Sequence, residues 1–103
     1  MAKLGAIGVH GISGAIYKFV AYSLDTRFKP HRPAVYVATR RREVEPMGAF
    51  KHRRLSLDQT DDVRKVLAHD GLRSRTHRAN CICVHFEEDQ TARSAICKDL
   101  RKQ

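Results

Sequence analysis

The sequence predicts an α+β domain, a small and mainly antiparallel sheet flanked by two helices. Three observations carry that expectation. Runs rich in β-branched and aromatic residues recur at 15–24, 35–39 and 81–86. Apolar residues fall at helical spacing in only two stretches, one after Thr60 and one after Asp89. Gly and Pro separate these runs, and there is no internal repeat or low-complexity segment.

The elements follow in order. Gly5, Gly8, Gly11 and Gly14 punctuate the first segment. The spacing around Gly8 and Gly14 lacks the Lys and Ser of a phosphate loop, so it predicts no nucleotide site. Ala15 to Leu24 reads as a strand with two mostly apolar faces, and with the glycine-rich segment it makes up residues 1–33 of a single domain spanning 1–103. Pro30 and Pro33 favour extended chain just before each of them. Val35 to Thr39 is the next strand. Arg40 to Arg54 reads as a solvated connection with Pro46 and Gly48 at its tip, and carries six Lys and Arg against Glu43 and Glu45. Leu55 to Leu57 is expected as a very short strand.

Thr60 is placed to cap a helix over Asp61 to His69, with Asp61 and Asp62 at its positive end and Gly71 at its termination. Val63, Val66 and Leu67 form its apolar stripe. Residues 72–79 are a second basic connection. Cys81 to Phe86 reads as a strand, with Ile82, Val84 and Phe86 on one face and Cys81, Cys83 and His85 on the other. Asp89 is the expected cap of a last helix whose buried stripe is Ala92, Ala95, Ile96 and Leu100, with Glu87, Glu88 and Arg93 at its solvated beginning.

At 103 residues the chain is expected to be one domain with a modest core. Lys and Arg outnumber Asp and Glu by 20 to 11, a formal charge of +9. Residues 1–50 carry 8 basic and 3 acidic side chains and residues 51–103 carry 12 and 8, so the excess is not a basic tail. Such a charge attracts polyanions: DNA or RNA is the first partner expected, an acidic protein the second. No apolar run approaches the roughly 18 residues of a membrane span, and the N-terminus makes a poor signal peptide. Three cysteines without a secretory signal fit free thiols in a reducing cytoplasm better than a disulfide framework.

Five segments, SGAIYKF at 13–19, AVYVATRR at 34–41, LSLDQTDDVRKVLAH at 55–69, CICVH at 81–85 and RSAICKDL at 93–100, stand in an order that resembles the GIY-YIG nuclease domain, and in particular a small bacterial and phage-type subgroup. The resemblance covers about 85 residues. It implies a metal-assisted phosphodiester cleavage that uses one or two tyrosines, a helical Arg and a metal-binding Glu. A base or activator must prepare water, a cation must meet the developing charge, and a carboxylate must hold a hard ion. Matched position by position, Tyr36 takes the place of the first tyrosine and Ala34 that of the Gly before it. Ser56 stands for the second tyrosine, Asp58 for the Gly of YIG, Val66 for the Arg and Cys97 for the Glu. His69 survives after the helix as a weak catalytic candidate beside Tyr36.

The expectation that follows is a catalytically degenerate module, more a non-enzyme than an enzyme, with no cofactor. It would bind nucleic acid through Arg40, Arg41, Arg42, Lys51, His52, Arg53, Arg54, Arg73, Arg75 and Arg78. One alternative is a protein-interaction or regulatory module, homodimeric where sheet edges need cover. Another is a metal-dependent endonuclease with relocated catalytic residues. Cys81, Cys83 and His85 invite a metal, but alternate residues on a strand stand about 6–7 Å apart in a row. Zinc gathers its ligands around one point at about 2.3 Å. That row is therefore expected to be half-buried strand rather than a ligand set.

Overall fold

The computed structural model describes residues 3–44, 49–68 and 78–101. Its elements are β1 (Lys3–His10), β2 (Ile16–Ser23), β3 (Ala34–Val44), β4 (Ala49–Thr60), α1 (Val63–Ala68), β5 (Cys81–Phe86) and α2 (Gln90–Leu100). The five strands form one sheet in the order β1-β2-β5-β3-β4, with every neighbouring pair antiparallel. The α+β class with two flanking helices is as expected.

The sheet is larger than the sequence suggested. The glycine-rich start is itself a strand, β1, despite Gly5 at φ 122°. The basic stretch taken for a solvated connection is strand on both sides: β3 runs to Val44, β4 runs from Ala49 to Thr60, and Arg40, Arg41 and Arg42 pair with Arg53, His52 and Lys51. Charge does not prevent pairing here, because the hairpin satisfies its backbone groups internally. β4 is also an edge of the sheet, and basic side chains on an edge discourage pairing with other chains.

Alternation gives the sheet two apolar faces. Face A carries Phe19, Ala21, Val35, Val37, Cys81 and Cys83 and is covered by Ile96, Cys97 and Leu100 of α2. Face B carries Tyr36, Ala38, Ile82 and Val84 and is covered by Val63, Val66 and Leu67 of α1. The sequence assigned the faces of β5 correctly. Thr60 accepts a hydrogen bond from Asp62 N (3.1 Å), but it is Asp62 Oδ1 that accepts from Arg64 N (3.0 Å) inside the first turn of α1. The expected stripe of α2 is shifted: Ala95 is exposed, whereas Arg93 and Cys97 are buried. Arg93 is no solvated beginning. Its guanidinium donates to Gln59 Oε1 and to the carbonyls of Glu87 and Glu88, tying α2 to β4 and to its own approach.

Two details set up the candidate site. The β3–β4 register shifts between Ala38, which pairs with Ser56, and Thr39, which pairs with Arg54; Leu55 is the extra residue of a bulge. Asn80 then clamps β3, its side chain accepting from Arg41 N (2.7 Å) and donating to Arg41 O (2.9 Å) while its own N–H reaches Thr39 O (3.0 Å). Thr39 is thereby held opposite Cys81. Among the described residues no helix is long and apolar enough to cross a membrane.

Candidate metal centre

His52, Cys81 and Cys83 converge on face A, their donor atoms all within 4.8 Å of one another. Both cysteines are fully buried and His52 is half-buried. Ligands of one tetrahedral ion at about 2.0–2.3 Å lie a little under 4 Å apart, so small side-chain rotations would close the set. Cys83 Sγ is already 3.9 Å from His52 Nδ1. Cys81 and Cys83 share a face because they are two apart on β5, and His52 reaches them from β4 across β3.

The two thiols hold their protons unequally. The Cys81 thiol is lowered to about 7, chiefly because it accepts a hydrogen bond from Cys83, with the Thr39 hydroxyl and the Arg41 charge adding to this against the effect of burial. Cys83 is pushed far up because it donates that bond, is buried and faces the Cys81 charge. His52 is lowered, first by burial and then by Arg41, so its ring is neutral at pH 7 and offers a lone pair. Thr39 Oγ1 lies 3.0 Å from His52 Nδ1 and also hydrogen-bonds the two cysteines.

A cleft of about 370 Å³ adjoins the cluster. Ile7, Gly8, Val9 and His10 of β1 form one side, and Val37, Thr39, His52 and Arg54 the other. The sheet thus coils until β1 faces β3 and β4 across face A.

The metal expectation is corrected in membership and in outcome. His85 is not in the cluster: its Nδ1 is 2.8 Å from Lys18 O, and its ring packs beside Tyr17 and Phe19. The two β5 thiols stand closer than the strand repeat suggests, their sulfurs within 4.8 Å, and the third donor comes from another strand. His52, expected among the nucleic-acid contacts, is that donor. An intact soft ligand set overturns the reading of a degenerate, catalytically emptied module and of a chain more non-enzyme than enzyme.

The residues matched to the GIY-YIG pattern do not gather. Tyr36 is buried on face B opposite Asp58, and Val66 lies on that face, whereas Cys97 lies on face A with its thiol pushed up by burial. Ser56 and Asp58 are half-buried on β4. His69, Arg73 and Arg75 lie outside the described residues. Among the basic residues, Arg40, Arg42, Lys51, His52 and Arg53 line a groove of about 470 Å³, Arg54 faces the metal-side cleft, and exposed Arg78 accepts a hydrogen bond from Arg40 on its carbonyl (3.4 Å). Compared with protein-family profiles, curated proteins and solved structures, the chain matches none.

Proposed function

We propose that the protein is a metalloprotein of zinc type, its ion held by His52, Cys81 and Cys83. The observation that carries this is the convergence of one imidazole and two thiols from two strands within 4.8 Å. Two thiolates and an imidazole select zinc or another thiophilic ion over magnesium. Three protein donors leave a fourth position, the arrangement of zinc sites that activate water rather than only hold a fold, and the neighbouring cleft supports that use. Metal-assisted hydrolysis is therefore the activity class the geometry supports best.

The test is zinc content and thermal unfolding of the purified protein. The expected result is about one zinc per chain, with His52→Ala and Cys83→Ser losing most of it. At zinc about a hundredfold above its dissociation constant the wild type should gain roughly 2.7 kcal/mol and unfold at a higher temperature, while the variants do not respond. A wild type that neither retains zinc nor responds to it would overturn the proposal.

A second reading, a metal-dependent endonuclease whose ligands lie elsewhere than in the GIY-YIG pattern, takes its support from the groove of Arg40, Arg42, Lys51 and Arg53 on the same hairpin. Such a groove suits a phosphate backbone without reading sequence. Chelator-sensitive cleavage of single- or double-stranded DNA or RNA by the zinc-loaded protein, absent in His52→Ala, would favour it. Zinc-loaded protein without cleavage would leave the metal centre and remove this reading.

A further inference from the structure

The cleft beside the metal cluster is mixed in chemistry. Ile7 and Val9 from β1 and Val37 from β3 give it its apolar lining, and His10, Thr39, His52 and Arg54 its polar groups. Gly8 meets the cleft with its backbone, and a Cβ there would press on Ile16, outside the cleft, at 3.1 Å. Its volume of about 370 Å³ is at the lower end of small-molecule sites, which run from about 300 to 1,000 Å³.

Charge decides what belongs there. A divalent ion with two thiolates and a neutral imidazole carries no net charge. Arg54 stands in the cleft wall beside His52, and Arg41 is the residue paired with His52 across β3 and β4. A neutral centre beside the Arg54 guanidinium is a favourable place for one further negative charge.

We propose that the fourth position of the His52–Cys81–Cys83 centre takes the anionic oxygen of a small carboxylate or phosphate ester, seated in the β1/β3–β4 cleft with its apolar part against Ile7, Val9 and Val37. This rests on the metal reading above and names its ligand class. The head is an oxyanion in either case, and Arg54 is the residue that selects it.

The experiment uses the cobalt(II)-loaded protein. A thiolate-to-cobalt charge-transfer band reports metal on the cysteines, and the visible d–d bands report the fourth ligand. Acetate, butyrate, methyl phosphate and propyl phosphate are titrated in turn. The expected result is a shift of the d–d bands, with butyrate over acetate or propyl over methyl phosphate tighter by about tenfold, as two buried methylenes require. The series that binds tighter identifies the head group. Arg54→Glu should keep the charge-transfer band and weaken anion binding roughly tenfold or more. A charge-transfer band with d–d bands that no anion moves, with no gain from the longer chain, or with Arg54→Glu unchanged in affinity, would overturn the anion site while leaving the metal centre. Absence of the charge-transfer band would overturn the metal reading and the anion site together.

Discussion

Thr39 shows how one hydroxyl can organise a site. It is 2% exposed, lies 3.0 Å from His52 Nδ1 and lowers the pKa of both Cys81 and Cys83 through hydrogen bonding. Groups that orient ligands and stabilise thiolates affect metal affinity nearly as much as the ligands themselves. Thr39→Val keeps the shape and removes the hydroxyl. It should weaken zinc binding by about 10- to 100-fold in competition against a chromophoric chelator, and Thr39→Ser should recover most of the loss.

At the scale of elements the β3–β4 hairpin is unusual in pairing like with like. Arg40 stands opposite Arg53 and Arg42 opposite Lys51. Like charges directly opposite each other on a sheet are destabilising, by up to about 1 kcal/mol each, although water and salt screen exposed ones. Arg53→Glu should therefore stabilise the protein by roughly 0.2–1 kcal/mol in urea unfolding, and the gain should shrink in high salt. A loss of stability would show that the basic ladder is held by something other than the tolerance of an exposed edge.

Across the whole molecule, the β1–β2 turn and the C-terminal helix are joined through Asp99. Its carboxylate accepts from Ser13 N (2.8 Å), Ser13 Oγ (2.7 Å) and Tyr17 Oη (2.7 Å), and Ile12 N reaches its carbonyl at 2.8 Å. A Cβ at Gly11 would collide with that carboxylate, so the turn needs glycine there for space. The Ser13 and Tyr17 hydrogen bonds hold Asp99 below its ordinary 3.8, and the bond to Asp99 raises Tyr17 above its ordinary 10.0. The sign follows from which state binds the proton more readily. Asp99 stabilises the fold above its ordinary pKa, and that contribution is lost as the pH falls through the lower folded value. The Tyr17 contribution is present below 10.0 and is lost as the pH rises through its raised value. Asp99→Asn should unfold at a lower temperature than the wild type at pH 7, and the difference should close as the solution is acidified below the carboxylate range. A difference that stays constant to pH 2 would show that the contact does not depend on charge.

Local periodicity was enough to mark the α+β class, the β2 and β5 strands, the faces of β5 and the approximate places of both helices. Tertiary structure decided the candidate site. Alternation counted back from Leu57, a face A residue, sends His52 to face B, away from the two thiols. The bulge at Leu55 inserts one residue, reverses that parity and delivers His52 and Arg54 to face A. No Gly or Pro marks the bulge, so no local signal announced it. The cleft depends on β1, which the sequence left as a glycine-rich lead, coiling round to face β3 and β4. A metal set needs three donors at one point, and here that point is fixed by a register shift and a coiled sheet, neither of which is written in any single segment.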